Sequence, residues 1–323
     1  MTTPLATLGV ISIGEMGLGI AKLLKANGYR VVTNITATYA RAESASLDLV
    51  SSDEELASTS DYILSIVPPR DAIATAERIM KVSTSASFAK RESPLYFLDL
   101  NAVAPKSVRG IAELFNPAGT SIRFLDGAII GNPPSLKDDH TDPNTVEAWK
   151  RPSVPMSGPH LLADAERSGA HLANVLNSQH ISEQIGSASG LKMSFAAVTK
   201  GFTALAIQSF TTASRLGVLP ELQQHLQTYM PKTYEMANAS VPVMPPKAYR
   251  WVREMEEISA TLAEDGGFED EAIFGGIART YDLVAHGTDL GKEKTGERNR
   301  GKTVEDVATL MSEGIDRRKQ KMD

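Results

Sequence analysis

The sequence predicts an α/β protein in which a doubly wound sheet occupies the first half and an all-helical domain the second, with a long helix linking them. Three observations carry that expectation. Short apolar runs alternate with helix-like stretches up to about residue 185. A glycine-broken turn follows the first apolar run. Beyond residue 186 the pattern becomes continuously helical. At 323 residues the chain has room for two domains of roughly 150 residues each. The change of pattern divides it into 1–186 and 187–323.

Taken in order, Thr7 to Ile13 (TLGVISI) reads as the first strand, and Gly14 to Gly19 breaks it. Ile20 to Asn27 is amphipathic at helical spacing, with Gly28 as its stop. Tyr29 to Thr33, Asp61 to Val67, Leu95 to Leu100, Phe124 to Ile130 and Ser153 to Met156 read as strands, and Pro105 to Phe115 as a helix. Strands that are apolar throughout, separated by helices, imply a parallel sheet covered on both faces. Gly131 to Arg151, with three prolines and the polar cluster Lys137-Asp138-Asp139-His140, reads as a surface excursion between two strands. After His180 to Ile185 come helical stretches at Ala188 to Leu216, Pro220 to Met230, Ala248 to Ala263, Glu269 to His286 and Lys302 to Lys319. Val241 to Pro246 (VPVMPP) marks a kink between them.

Composition removes several function classes. There is no cysteine, so disulfides, thiolate catalysis and Cys-based metal centres are excluded. The formal net charge of −6 argues against a broadly basic nucleic-acid surface. No apolar run approaches the roughly 20 residues of a membrane span, and Met1 to Ala6 lack the features of a secretory signal. A soluble cytoplasmic protein, with no nucleic-acid or membrane partner, is expected. The six histidines show no ligand spacing, so no metal site is expected. Neither a phosphate-binding G-x-x-x-x-G-K-[ST] loop nor a G-x-S-x-G nucleophile elbow is present.

The first turn points to a dinucleotide. A strand, a glycine-rich turn and a helix form the context in which G-x-G-x-x-G holds a pyrophosphate. Here the fingerprint is Ser12-Ile13-Gly14-Glu15-Met16-Gly17, with serine in the place of the first glycine. Ser12 must then make the tight turn, Gly14 allow the backbone near the phosphates, and Gly17 let helix and strand approach. After the second strand the chain reads Thr33-Asn34-Ile35-Thr36, with no acid before Glu43. Asn34, Thr36 and Arg41 can receive a 2′-phosphate without repelling it, which favours NADP(H) over NAD(H).

These motifs resemble the β-hydroxyacid dehydrogenase superfamily, which includes 6-phosphogluconate dehydrogenase, 3-hydroxyisobutyrate dehydrogenase and the imine reductases. Ile11 to Gly17 (ISIGEMG) looks like that family's I-G-x-G-x-M-G turn. Ile66-Val67-Pro68-Pro69 is similar to the strand end beside the nicotinamide ribose. Asp99 to Pro105 (DLNAVAP) resembles the D-x-S-T-x-x-P loop, and Phe124 to Gly131 (FLDGAIIG) the following strand. Gly186 to Lys192 (GSASGLK) looks like the start of the interdomain helix that carries the catalytic lysine. Leu191 to Leu205 and Trp251 to Ile258 are similar to a subgroup with a phosphogluconate-dehydrogenase-like C-terminal domain. The resemblance implies Lys192 as general acid/base and Asn101 as a catalytic partner. It places Val67 and Pro68 at the coenzyme and Ala102, Val103, Gly131 and Asn132 at the substrate. It also implies a homodimer through the helical domain.

Three positions depart from the family pattern. Ile130 stands where a serine hydroxyl binds a carboxylate, Ala196 where an asparagine follows the lysine, and Phe195 where the phosphogluconate enzymes have histidine. The pocket therefore reads as more apolar than a sugar-phosphate site. Lysine in apolar helix surroundings loses hydration, and its pKa falls toward the range useful in proton transfer. Lys200, two turns further on, is placed to bind a substrate anion from another wall. Asp99 and Asp126 end strands and read as structural caps. The expected activity is NADP-dependent hydride transfer to or from a small carbonyl or hydroxy compound. The alternatives are an imine or ketimine reductase on the same scaffold, and a non-catalytic NADP-binding protein.

Overall fold

The computed structural model describes residues 3–34, 39–83, 85, 88, 91–116, 121–138, 142–268 and 272–320. The chain divides into two compact units, Met1–Lys192 and Met193–Asp323.

The first unit alternates strand and helix, as the apolar runs predict. Strand β1 (Thr7–Ile11) leads to helix α1 (Glu15–Ala26), β2 (Arg30–Thr33), α2 (Tyr39–Ser44), β3 (Asp48–Leu49) and α3 (Asp53–Thr59). Then come β4 (Tyr62–Ser65), α4 (Ala72–Val82), β5 (Leu95–Asp99), α5 (Pro105–Leu114) and β6 (Ile122–Gly127). Local chemistry sets the helix starts. Pro105 opens α5 in the first-turn position that tolerates a missing N–H. Ser52 caps α3 by accepting from the Glu55 N–H at 3.1 Å.

After β6 the chain makes a two-stranded hairpin, β7 (Ser135–Leu136) against β8 (Trp149–Lys150), and returns as β9 (Val154–Ser157), α6 (Gly169–Val175) and β10 (Ser178–Ser182). The eight-stranded sheet has the order β10-β9-β6-β5-β4-β1-β2-β3. Strands β1 to β6 run parallel, but β9 pairs antiparallel with β6. The doubly wound parallel sheet expected from the sequence is present, with this one antiparallel pairing added. The hairpin turns the chain round without a crossover helix, so the next strand enters reversed.

Buried residues alternate between the two faces. Leu8, Val10, Tyr62, Leu64, Tyr96 and Leu98 pack with α1 and α6 on one side. Ile63, Leu95, Phe97 and Phe124 pack with α3, α4 and α5 on the other. The strand order reverses between β1 and β4, which opens a crevice at the carboxyl ends of the strands. Three local expectations shift. The first strand ends at Ile11, two residues early, because Ser12 turns out of it. Helix α1 begins at Glu15 rather than Ile20. The excursion after Gly131 is not wholly solvated, because Val146, Ala148 and Trp149 are buried in the core.

Helix α7 (Ser187–Leu216) runs into the second unit. That unit continues with α8 (Leu219–Tyr229), α9 (Pro231–Ser240), α10 (Ala248–Glu264), α11 (Ile273–Asp282) and α12 (Val304–Gln320). Helix α9 lies in a stretch where the sequence suggested none. It starts at Pro231, a residue suited to a first turn. Where one helix was expected over 269–286, α11 passes into a π-turn at Leu283–Gly287. Among the described residues no helix is long and apolar enough to cross a membrane.

Candidate active site

The turn after β1 is built on one unusual backbone conformation. Ser12 has φ 72°, a left-handed conformation that costs a residue with a β-carbon roughly 1 kcal/mol. Its carbonyl oxygen then lies directly beneath Gly17, where a β-carbon would stand 2.0 Å from it. Only glycine fits there. Ile13 is fully buried, Met16 partly so, and Glu15 is exposed. Gly14 precedes α1 in extended conformation, with no side-chain cap and with open space where a β-carbon would sit. The first-turn N–H groups of α1 have no carbonyl within the helix to bond. An uncapped helix start facing open space suits a pyrophosphate, so this turn fits the dinucleotide expected from the sequence.

Asn101 closes the neighbouring strand ends. Its side-chain oxygen accepts from the Val67 N–H at 2.7 Å, and its amide donates to Ser65 Oγ at 3.0 Å. Its own N–H donates to Asp99 Oδ1 at 3.1 Å. Asn101 is thus buried, and its side chain ties Ser65 of β4 and the Val67 N–H beyond it to the end of β5. Val103 is buried in the core and Ala102 half-buried. Burial pushes the Asp99 carboxyl up to about 7, and its Oδ2 has no hydrogen-bond partner.

Asp126, at the end of β6, is a fully buried hub. It accepts from Ser157 Oγ at 2.7 Å, the Gly186 N–H at 2.8 Å and Ser189 Oγ at 2.7 Å. Ser157 in turn accepts from the Ala188 N–H at 3.0 Å. These bonds fix the first turn of α7. Lys192, one turn on, reaches back to donate to the Ile129 carbonyl at 2.5 Å. It is half-buried, and that burial lowers its ammonium to about 8. Ile130 exchanges two backbone bonds with Ser153 at 2.9 Å, after which Gly131 (φ 128°) and Asn132 are exposed.

Other expected residues are placed differently. Lys200 lies in the second unit and forms an ion pair with Glu254. Its ammonium stands 4.8 Å from the centre of the Trp251 ring. The Tyr281 hydroxyl donates to its backbone carbonyl at 2.6 Å. Lys200, expected to bind a substrate anion, thus sets its charge against a half-buried carboxylate, that of Glu254. Asn34 donates its amide to Asp53 rather than facing open solvent. Arg41 is exposed on α2, and Thr36 and His140 lie outside the described residues. Among the described residues no group of three or more His, Asp or Glu is placed to hold a metal ion.

Sequence reasoning passed over Ser65, Ser157 and Ser189, and gave Asp126 too small a part. For Ser65, Asp126 and Ser157 the signal was a polar residue inside an otherwise apolar buried run (DYILSIV, FLDGAII, VPMS), which demands a partner; Ser189, in GSASGLK, carried no such signal.

Residues 7–87 match the family described as NADP oxidoreductase, coenzyme F420-dependent, and residues 213–284 match a domain of unknown function, DUF1932. Among curated proteins, no relative matches. Solved structures do. A 3-hydroxyisobutyrate dehydrogenase from Mycobacterium tuberculosis, solved with L-serine, aligns over 94% of this chain and 98% of its own, at 14% identity and TM-score 0.60. The chain has the β-hydroxyacid dehydrogenase fold. A conserved hypothetical protein from Sinorhizobium meliloti 1021 shares the fold over 97% of both chains, at 21% identity and TM-score 0.62. An imine reductase from Myxococcus stipitatus, solved with NADP+, covers 94% of this chain and 99% of its own, at 18% identity and TM-score 0.51.

Proposed function

We propose that the protein is a nicotinamide-dinucleotide-dependent oxidoreductase of the β-hydroxyacid dehydrogenase type, acting on a small carbonyl or hydroxy compound with Lys192 as its general acid/base. The observation that carries this reading is the half-buried Lys192 ammonium, lowered to about 8 and held on the Ile129 carbonyl at the start of α7. The solved relatives that bind NADP+ or carry dehydrogenase names support it.

The bound coenzyme, when reduced, supplies a hydride to an electrophilic carbon. The remaining work falls to the chain. Ser12, Ile13, Gly14 and the start of α1 receive the pyrophosphate. Val67 and Pro68, braced by Asn101, form the wall beside the ring. Lys192 gives its proton to the oxygen that gains charge as the carbonyl is reduced, and takes it back in the reverse direction. Ala102, Val103, Gly131 and Asn132 line the substrate side. The reading does not commit the protein to the phosphorylated coenzyme, because Asn34 gives its amide to Asp53.

A second reading, reduction of an imine, is favoured by Ile130. Both backbone groups of Ile130 are locked to Ser153, and its side chain offers no hydroxyl to a carboxylate. The homodimer remains part of the proposal. Phe195, Val198 and Leu205 are exposed along α7, and apolar surface of that kind suits association with a second copy.

Stopped-flow coenzyme fluorescence with Lys192→Ala, over a panel of 2-keto acids, 3-keto acids and cyclic imines, tests the reading. Retained coenzyme binding with turnover reduced well over tenfold supports it. Unchanged turnover removes Lys192 from the mechanism. Binding without turnover on any substrate leaves a non-catalytic dinucleotide-binding protein.

A further inference from the structure

The carboxyl end of β2 holds a charged arrangement that the sequence does not announce. Asp53, at the start of α3, takes the Asn34 side-chain amide and the Arg78 guanidinium on the same oxygen, Oδ1. Arg78 Nε reaches the second oxygen at 2.8 Å, so the ion pair is bidentate. Asp53 strengthens the hold of Arg78 on its proton. Two buried polar atoms at this strand end, Thr33 Oγ1 and Asn34 Oδ1, have no hydrogen-bond partner. The ion pair itself is reachable, with side-chain exposures of 24% for Asp53 and 48% for Arg78.

In a doubly wound dinucleotide site the end of the second strand meets the adenosine ribose. An acid there binds the 2′-hydroxyl, and an arginine there accommodates a 2′-phosphate. This chain supplies both, from α3 and α4 rather than from the loop after β2. We propose that the Asp53–Arg78 ion pair, met by Asn34, sets the choice between the phosphorylated and unphosphorylated coenzyme, and that its neutrality lets the protein take both. The inference rests on the dinucleotide reading above.

The logic is electrostatic. A 2′-phosphate carries about −1.5 to −2 charges and needs donors. In the native pair Arg78 and Asn34 are aimed at Asp53, whose negative charge cancels that of the guanidinium and opposes the phosphate. Without the Asp53 charge, a guanidinium and an amide are free to bind phosphate, and charge-assisted contacts of this kind are strong. Without the guanidinium, an uncompensated carboxylate remains, which accepts from ribose hydroxyls and repels phosphate. The two losses therefore push selectivity in opposite directions.

Calorimetric titration of the full-length protein with NADPH, NADH, 2′,5′-ADP and 5′-AMP tests this, using wild type, Asp53→Asn, Asp53→Ala and Arg78→Gln, each checked for folding by thermal melting. The two adenosine half-ligands report on this subsite without turnover. The expected wild-type Kd values for NADPH and NADH lie within about tenfold of each other. The Asp53 variants shift the ratio about tenfold or more toward NADPH and 2′,5′-ADP, and Arg78→Gln shifts it similarly toward NADH and 5′-AMP. A wild type selective beyond tenfold, or folded variants that fail to move the ratio in opposite directions, overturns the proposal while leaving the dinucleotide reading intact. A wild type that binds neither coenzyme overturns the dinucleotide reading itself.

Discussion

Ser189 donates its hydroxyl to Asp126 at 2.7 Å, and the bond fastens the first turn of α7 to β6 three residues before the carbonyl that receives Lys192. Removing the carboxylate strands two buried hydroxyls and the Gly186 N–H. Each unsatisfied buried group costs about 1–3 kcal/mol, so Asp126→Ala is expected to lose roughly 3 kcal/mol or more in urea unfolding. Asp126→Asn keeps an acceptor and loses less. Equal stability for wild type and the alanine variant would contradict the bonding described.

Lys192→Met is expected to bind coenzyme normally and to lose about a hundredfold in turnover, the ordinary contribution of a general acid. With its pKa lowered to about 8, wild-type reduction slows as pH rises through that value, because the proton to be donated is gone. Stability moves the opposite way. The folded pKa lies below the unfolded value of 10.5, so the unfolded chain holds more protons between the two, and stability rises over that window. Denaturation curves of wild type and Lys192→Met should converge from pH 8 toward pH 10.

Asp99 gives the reverse slope. Its folded pKa of about 7 lies above its ordinary 3.8, so the folded protein holds the extra proton. Stability from this group is present below about pH 4 and is lost as pH rises to 7. Asp99→Asn keeps the neutral shape and should flatten that part of the stability profile, read by urea titration at pH 4, 5.5 and 7. A wild-type profile no steeper than the variant's would show that Asp99 is ionised when folded.

Lys200→Ala is expected to act on stability rather than on substrate. It leaves Glu254 half-buried without its cation and removes the contact with Trp251. Breaking such a pair costs about 3 kcal/mol. The melting temperature should fall while KM stays near the wild-type value. A KM raised tenfold with stability unchanged would instead support the anion-binding role.

The sequence made the architecture legible because its signals are local. Apolar runs such as Tyr62 to Ser65 can only be buried strands, and Ser12 to Gly17 announces the turn before α1. What stayed hidden depends on pairings across the chain. The reversed β9 follows from a hairpin formed between Ser135–Leu136 and Trp149–Lys150, which carries no periodic signal. Asp53 lies 19 residues beyond Asn34 and Glu254 lies 54 beyond Lys200, so neither partner could be read from spacing. The place of Lys192 near the start of α7 was readable from its motif. That Asn101 holds Val67 and Ser65 required the strands to be paired first.

Gly19 sits on the face of α1 against Pro133 and Pro134, where a β-carbon would come within 3.2 Å of either ring. The base of the hairpin is thereby seated on α1. Engineers seeking to splice in a tag or a reporter should avoid that junction, since added length there would prise the proline pair off its support. Exposed Lys137 and Asp138, further along the arm, offer the safer graft point.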